Sequence, residues 1–460
     1  MMLSSLTKEN ATTIFHLNDE ELEIIFKSLP FRILVTVVPQ VCTTWKLMAE
    51  GIKDVDKGRH VGDFLHNHQY LKQKDIDLVI NTPDINTNPV RRRLCLKLYP
   101  ERFNIIKKII LNRSYNISDT DLHNCLHLVP KLEKLVLLKE SLITKVPTFT
   151  AQRCITCLYF RDCANMTDFS AIEDCTNLKE FQLRNNNIKN LDCLKNCLKL
   201  EKLAITSCSQ LTDISIIIKL KLNYLRLLKN DNINDVSLLS KCNINTIYIG
   251  ECPITDVSSL KECTTLTSLS LYNCPDITDV SFLQHCYHLS SLYIHYIGAT
   301  NLSCLRYCIN LKTLDLNCFN TVELDVSFFK YLTLLKNLSI KDCLIDDDLM
   351  ILQNCPLEEF DIQTSSNIKN LNFIKVMKRL EYICVTNCDT LCDISAIKYC
   401  ENIQNIDFMK CPLITDISSL DNCTKLDIVY FDTCVGISKE NADALKLKLP
   451  NTCIQCNSNV

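Results

Sequence analysis

The chain has 460 residues, a formal net charge of −3 and 29 cysteines. A charge this close to zero gives no overall attraction to nucleic acid or to an anionic membrane. No uninterrupted apolar run approaches the roughly 20 residues that span a bilayer. The amino terminus lacks a charged and then apolar stretch with a small-residue cleavage site, so we expect no secretory signal.

Residues 14–50 contain three short apolar segments, which predict three short helices. The first has apolar residues at helical spacing, at Leu22, Ile25, Phe26 and Leu29. Pro30 ends it, and the other two segments run from Ile33 to Val38 and from Val41 to Met48. So few residues form only a small core, and a partner that covers the apolar faces would help such a unit.

The same stretch resembles the F-box. The matching positions are Leu17, Glu20, Leu22, Ile25, Phe26, Leu29, Val41, Cys42, Trp45, Met48 and Ala49. Asn18 stands where the family usually has proline, and the segment around Leu34 and Val35 lacks the usual polar spacing. The resemblance implies that residues 10–52 form a helical domain that binds a Skp-family adaptor. It implies adaptor contacts at Leu17, Leu22, Ile25, Phe26, Leu29, Leu34, Val41 and Trp45. The alternative is a plain helical cap on the first repeat.

Residues 53–103 are expected to be a linker or a helical capping region. The stretch from Asn81 to Pro89 carries two prolines among several Asn and Thr residues, which is typical of a loop.

From residue 104 to residue 450 the chain repeats one short unit, about 15 times at spacings of 22 to 26 residues. The repeats start at Ile106, Leu132, Ile155, Leu178, Leu200, Leu222, Ile244, Leu266, Leu289, Leu311, Leu335, Leu357, Leu380, Ile403 and Leu426. Alternation near each start predicts a strand that cannot bury its apolar face alone, so stacked units must form one core. The following I-T-D-V-S-x-L segment predicts a capped short helical turn or a tight bend.

The repeat pattern L-x-x-L-x-L-x-x-C/N resembles the leucine-rich repeat. The resemblance implies an α/β solenoid, with a curved parallel β-sheet on its concave face and short helices or turns on its convex face. The I-T-D-V-S-x-L segment looks more like the short internalin-type repeat than the helix-bearing repeats of animal F-box proteins. Lys439 to Leu449 is helical in pattern and could shield the last repeat, and residues 451–460 are expected to be an irregular tail.

Cysteines recur at two positions of the repeat. One position holds Cys163, Cys208, Cys252, Cys274, Cys343, Cys388, Cys411 and Cys434, and the other holds Cys175, Cys197, Cys263, Cys286, Cys308, Cys355, Cys400 and Cys423. Free cysteine behaves as a small buried hydrophobe, so we expect reduced structural thiols in a reducing compartment. The pairs Cys154/Cys157 and Cys453/Cys456 belong to no four-ligand set, so we expect no metal and no cofactor.

Side chains that flank the apolar strand positions should form ladders on the concave face, because parallel strands stack about 4.8 Å apart. Tyr and Arg dominate interface hot spots. We therefore predict that a protein target binds at Tyr159, Arg161, Arg184, Tyr224, Arg226, Tyr248, Tyr272 and Tyr293. Later repeats place acidic residues at the same positions, including Asp315, Glu359, Asp361, Asp407 and Asp432. The alternative is a merely solvated sheet face, since Tyr also favours strands.

An F-box followed by cysteine-containing leucine-rich repeats resembles the substrate-recognition subunit of SCF-type ubiquitin ligases. That resemblance implies a non-catalytic adaptor that links a captured target to a cullin-RING ligase, in the cytoplasm, in the nucleus, or in the host cytoplasm for a viral source. The alternative is a leucine-rich-repeat interaction or inhibitory scaffold without a ligase link. We expect no enzyme, because P-loop, G-x-S-x-G and H-E-x-x-H motifs are missing and only 6 residues are glycine.

Overall fold

The computed structural model describes residues 76–81, 106–112, 117–127, 129–149, 153–317, 324–343, 349–364 and 368–457. The chain divides into two compact units, residues 1–200 and 201–460. The predicted F-box-like domain at residues 10–52, with all eight predicted adaptor contacts, lies outside the described residues.

The described part of the first unit is a parallel sheet whose strands follow the chain order. Its strands are β1 Ile76–Asn81, β2 Ile106–Asn112, β3 Lys134–Leu138, β4 Cys157–Arg161 and β5 Glu180–Arg184. One α-helix, α1 Asp119–His127, follows β2, and 3₁₀ turns cover Ser170–Asp174 and Asp192–Leu194. Strand β1 corrects the expectation of a linker or helical cap at residues 53–103. Its segment was missed because the I-T-D-V-S-x-L signature does not follow it.

The second unit is also parallel and follows the chain order. Its strands are β6 Lys202–Thr206, β7 Tyr224–Leu228, β8 Thr246–Gly250, β9 Ser268–Cys274, β10 Ser291–Ile297, β11 Thr313–Asn317, β12 Asn337–Lys341, β13 Glu359–Gln363, β14 Tyr382–Thr386, β15 Asn405–Met409, β16 Ile428–Asp432 and β17 Cys453–Asn457. Helix α2, Lys439–Lys448, lies between the last two strands.

The repeat boundaries predicted from the sequence are confirmed. Strand β2 begins at the first predicted start, and each strand from β3 to β16 begins two residues after its own predicted start. The connecting segments of the second unit contain 3₁₀ turns at Ser215–Lys219, Ser237–Lys241, Ser258–Glu262, Ser281–His285, Ser303–Tyr307, Ser327–Tyr331, Leu349–Asn354, Asn372–Val376, Ser395–Tyr399 and Ser418–Leu420. These are the predicted short helical turns.

The Asp and Ser residues of the connecting segment fix how each turn begins. The backbone N–H of Ser258 donates to Oδ1 of Asp256 at 2.8 Å, and Ser281 donates to Asp279 in the same way at 2.8 Å. An aspartate that satisfies a backbone donor two residues later starts a tight turn without help from the next unit. Each repeat therefore carries its own signal for reversing the chain.

The core consists of the two inward side chains of each strand and the apolar residues of each turn. Leu225, Ile247 and Leu269 are register partners on β7, β8 and β9, and all three are fully buried. Burying one such side chain contributes about 1.5–3 kcal/mol. Repetition of this contribution at every unit explains why a chain with so few long helices folds at all.

The cysteines of both repeat positions are buried wherever the structure describes them. Thiols of the second position donate to carbonyls of the preceding turn, as Cys263 does to Leu239 at 3.2 Å and Cys308 to Leu283 at 3.3 Å. Thiols of the first position donate to the preceding strand, as Cys252 does to Leu227 at 3.7 Å. Burial raises the pKa of Cys263 to about 11 and that of Cys286 to about 12. These thiols stay protonated at neutral pH and act as small core residues with a weak donor.

A left-handed residue follows most strands of the described chain. Thirteen non-glycine residues have φ between 48° and 59°. In the second unit, Lys229 (φ 54°) donates its N–H to Gly250 O at 3.0 Å, and Glu251 (φ 48°) donates to Tyr272 O at 2.9 Å. The hydrogen bond to the next strand offsets the cost of the left-handed backbone, which is about 1–2 kcal/mol.

The predicted carboxyl-terminal helix is present, and residues 453–457 of the predicted tail form a strand. Ser438 caps α2 by accepting from the N–H of Asn441 at 3.2 Å, and Ala442 and Leu445 are buried beneath it. Strand β17 then pairs with β16, with Ile454 opposite Val429. This strand was missed because Ile454 is its only buried apolar side chain, so its sequence carries little strand pattern.

Candidate protein-binding surface

One face of each sheet is covered by the core, and the other carries the outward side chains of the strands. Most strands show three accessible positions that alternate with two buried ones, as in Lys202–Thr206 and Asn337–Lys341. Because the strands pair in register, equivalent outward residues lie beside one another, such as Arg226 and Tyr248. The structure places the predicted target-binding residues at outward positions of this face; their role in binding stays a prediction.

In the first unit, the structure brings three predicted residues together. Tyr159 and Arg161 lie on β4, and Arg161 is the register partner of Arg184 on β5. Arg161 Nε lies 3.3 Å from Oδ2 of Asp162, whereas Arg184 is exposed. Two adjacent guanidinium groups give this part of the face a positive charge that one neighbouring carboxylate only partly balances.

In the second unit, the other five predicted residues lie on four consecutive strands. We call Tyr224, Arg226, Tyr248, Tyr272 and Tyr293 the tyrosine surface. The rings of Tyr224 and Tyr248 pack at a centroid distance of 5.5 Å. Packed aromatic rings of this kind are rigid, amphipathic and accessible, which are the properties of an interface hot spot.

Gly250 lies beneath the tyrosine surface, where a larger residue would collide with Leu228 and Tyr272. It lies at the end of β8 and is the register partner of Tyr272. A Cβ atom at this position would lie 2.8 Å from the Leu228 side chain and 2.8 Å from the carbonyl oxygen of Tyr272. The absence of a side chain at Gly250 lets Leu228 and Tyr272 close over the end of the strand.

The next strands carry carboxylates at the corresponding outward positions. We call Asp315, Glu359, Asp361, Asp407 and Asp432 the acidic surface. Lys341 Nζ lies 3.5 Å from Oδ2 of Asp361, and the Tyr382 hydroxyl donates to Asp407 at 2.8 Å. Burial, and then this bond to Asp407, raises the pKa of Tyr382 above its usual value.

The tyrosine and acidic surfaces meet at β10 and β11. The outward neighbours there are Tyr293 beside Asp315 and His295 beside Asn317. His295 Nε2 lies 3.1 Å from Oδ2 of Asp315, a distance that makes an ion pair when the imidazole is protonated. Burial by itself raises the pKa of Asp315, but its interaction with His295, the charge of Lys341 and a hydrogen bond from Ser339 hold it below its usual value.

Sequence reasoning missed Asn317 because it is neither aromatic nor charged. It is only 8% exposed, although it stands at an outward position of β11. Within the described residues, its Oδ1 and Oδ1 of Asp315 are buried without a hydrogen-bond partner. The only signal in the sequence was its place at the third outward position of the repeat.

The described residues contain no cluster of three or more His, Cys, Asp or Glu side chains that could hold a metal ion. None of the helices in that part of the chain is long and apolar enough to cross a membrane.

Parallel strands at intervals of 22 to 24 residues from β6 to β16 define a leucine-rich-repeat fold, since a short turn and, in most units, a buried Cys or Asn follow each strand. A family model described as the BspA type leucine rich repeat region matches six copies over residues 139–252 and 363–459. These matches do not include residues 10–52. A search of curated proteins finds no match to this chain.

Solved structures with the same fold include two bacterial proteins. An internalin from Listeria monocytogenes is 22% identical, and the alignment covers 72% of this chain and 88% of the internalin, with a TM-score of 0.54. A leucine-rich-repeat protein of Leptospira interrogans is 18% identical, with coverage of 85% of this chain and 98% of that protein and a TM-score of 0.63. At these identities the similarity shows the fold alone.

Proposed function

We propose that this protein is a non-catalytic leucine-rich-repeat scaffold that captures a protein target on the exposed face of its sheet. The observation that carries the proposal is the tyrosine surface, where aromatic rings and Arg226 are held in register on β7 to β10. A rigid backbone makes such side chains effective anchors, because little entropy is lost when a partner packs against them.

Photo-crosslinking tests this proposal. A photoreactive amino acid at Thr246, an outward neighbour of Tyr224, would capture the target in cells that make the protein. Tyr224→Ser, Arg226→Ala and Tyr248→Ser are then combined in one variant. Loss of three hot-spot side chains should weaken target binding by at least about 30-fold, since single hot spots contribute about 2 kcal/mol or more.

The chain offers a matched control away from the sheet face. Tyr287 and Tyr307 are 53% and 45% exposed, and Arg306 lies 5.4 Å from the ring of Tyr307. Tyr287→Ser, Arg306→Ala and Tyr307→Ser therefore remove the same groups from another surface. Equal capture by the wild type and both variants would contradict the proposal.

A second candidate function is a substrate adaptor of an SCF-type ubiquitin ligase. The observation that favours it is the resemblance of residues 14–50 to the F-box, including Val41, Cys42 and Trp45 at the family spacing. On this proposal the amino terminus binds a Skp-family adaptor and the repeats present the target to a cullin-RING ligase. The chain itself does no chemistry, since raising the local concentration of target lysines is sufficient.

A pull-down with a purified Skp-family adaptor separates the two functions. Leu22→Asp combined with Ile25→Asp should abolish adaptor binding by charging the predicted apolar helix face. Leu447→Asp is the control, because Leu447 is 85% exposed in α2. If the intact chain does not bind the adaptor, the ligase role is wrong while the scaffold function stands.

We also propose that the protein works in a reducing compartment, the cytoplasm in the first instance. The support is its use of buried thiols as repeating core residues, as at Cys263 and Cys308. Protein taken from its natural source and denatured without reductant should expose 29 thiols to a maleimide reagent. A smaller number, restored to 29 by reductant, would place the protein in an oxidising compartment.

A further inference from the structure

Two buried oxygen atoms on β11, beside β10, lack a hydrogen-bond donor within the described residues. Oδ1 of Asp315 and Oδ1 of Asn317 are both buried, and neither has a hydrogen-bond partner within the described residues. Asn317 is 92% shielded from solvent, as its 8% exposure shows. An unpaired buried acceptor is costly, so two on one strand indicate a donor that arrives from outside the chain.

The charges around Asp315 and Asn317 determine whether a cationic, neutral or anionic hydrogen-bond donor is favoured there. The outward positions of β11 to β16 carry the five carboxylates of the acidic surface and a single cationic group, Lys341. Lys341 lies 3.5 Å from Asp361, and His295 on β10 lies 3.1 Å from Asp315, so the five carboxylates face no more than two cationic groups. A cationic donor is therefore favoured over a neutral one, and an anionic group is repelled.

Aromatic rings complete the surroundings of the acceptors. Tyr293 is the register partner of Asp315 on β10, and the rings of Tyr272 and His295 pack at 6.2 Å. Burial, followed by the proximity of Tyr248 and Asp315, raises the pKa of Tyr293, so its phenol stays neutral at physiological pH. The face of a neutral phenol attracts an ammonium or a guanidinium group.

We propose that Asp315 and Asn317 accept hydrogen bonds from a lysine or arginine side chain of a partner protein, with the adjacent tyrosine surface holding the neighbouring part of the same segment. This inference rests on the proposed scaffold function and adds the chemistry of the partner, which is a basic segment. An ammonium group has three donors and a guanidinium group has five, so either satisfies both oxygens at once.

Labelled peptides test the inference with the full-length protein. Fluorescence anisotropy would compare the 12-residue peptides (Gly-Ser-Lys)₄, (Gly-Ser-Arg)₄, (Gly-Ser-Gln)₄ and (Gly-Ser-Glu)₄ at low salt. We expect the lysine and arginine peptides to bind at least tenfold more tightly than the other two. Binding of the glutamine peptide as tight as that of the lysine peptide would overturn the proposal.

Substitutions then locate the site. Asp315→Asn should weaken binding of the lysine peptide at least tenfold, and Asn317→Leu at least threefold. Asp276→Asn is the matched control, because Asp276 lies in an exposed loop after β9 and its substitution removes the same charge. If Asp315→Asn and Asp276→Asn bind the lysine peptide equally, the site is elsewhere.

A substitution at a third residue tests the site without altering Asp315 or Asn317, in case either of those variants misfolds. Ser339 is the register partner of Asp315 on β12. Ser339→Lys places an internal ammonium group beside the acceptors and should block the lysine peptide, whereas Ser339→Gln should not. Equal binding by these two variants contradicts the proposal.

The crosslinked target distinguishes this inference from the function on which it rests. If capture depends on the tyrosine surface but not on Asp315 and Asn317, the scaffold function stands and the inference fails. If capture depends on neither surface, the scaffold function itself fails.

Discussion

Replacing Gly250 by alanine should loosen the sheet beneath the tyrosine surface. The new Cβ would lie 2.8 Å from Leu228 Cδ2, 2.8 Å from Tyr272 O and 3.0 Å from Tyr272 Cβ. Leu228 can rotate away, but the Tyr272 carbonyl is fixed because it accepts the Glu251 N–H at 2.9 Å. Relief of the clash must therefore shift β8 against β9, at a cost of about 1–3 kcal/mol, the usual range for overpacking.

Hydrogen exchange is the appropriate assay, since a repeat protein opens locally rather than in one step. A cost of about 1.4 kcal/mol lowers the protection of an amide tenfold when opening is local. We expect the Glu251 amide and others of β8 and β9 to lose protection by about 5- to 100-fold, and those of β14 to β16 to stay unchanged. Ser270→Ala, on the same face, should change protection less than threefold. Unchanged protection at Glu251 in the alanine variant would refute the reasoning.

Three further changes test other parts of the repeat by urea unfolding. Thr433 has φ 57°, so Thr433→Gly should stabilise the protein by up to about 1 kcal/mol; a lower urea midpoint would contradict this. Backbone and side-chain hydrogen bonds from Ser258 hold the pKa of Asp256 below its usual 3.8. Its stabilisation is therefore present above about pH 4 and lost as the pH falls further. Asp256→Asn should reduce the pH dependence of the urea midpoint between pH 6 and pH 3. An unchanged pH dependence would show that the hydrogen bonds from Ser258 to Asp256 do not stabilise the turn. Asn230 donates to Ile205 O at 3.1 Å and accepts from the Cys208 N–H at 3.0 Å. Asn230→Ala should therefore cost about 2–3 kcal/mol, and Asn230→Cys less, because cysteine fills this position in most units; equal midpoints for these two variants would contradict the account.

The regular part of the fold could be predicted from the sequence because one physical requirement repeats. Each strand must bury two apolar side chains, and each turn must begin with an aspartate or asparagine, so the same letters return at 22 to 24 residues from β6 to β16. Strands β1 and β17 are not followed by the I-T-D-V-S-x-L segment, so the repeat pattern did not predict them. Their pairing partners supply the order that their own sequences do not encode.

The left-handed residues could not have been predicted. The thirteen non-glycine residues of this kind include three asparagines and two aspartates, which tolerate this backbone, but also three lysines, two threonines, a serine, a glutamate and a tyrosine. The constraint comes from the hydrogen bond between one strand end and the next, as between Lys229 N and Gly250 O. It acts on the backbone and accepts many side chains, so the sequence shows only a partial preference for asparagine and aspartate at this position.

The candidate site was predicted in part. The outward positions follow from alternation alone, and in the sequence the aromatic and acidic residues form two successive halves of the face. The structure places His295 within 3.1 Å of Asp315, so the two halves share a pair at their boundary. A side-chain contact of this kind depends on rotamers and register together, and neither is visible in a linear pattern.

The fold separates the residues that stabilise the protein from the residues that could bind. At Tyr248, on β8, the side chain is half-buried on the exposed face, whereas its neighbours Ile247 and Ile249 are fully buried in the core. Truncation of an inward isoleucine costs about 2–5 kcal/mol, while an outward substitution away from special backbone positions usually changes stability by no more than about 0.5 kcal/mol. The outward positions can therefore change from unit to unit without unfolding the protein. A run of tyrosines followed by a run of carboxylates on adjacent strands is not required by folding, and recognition of a partner is a sufficient reason for it.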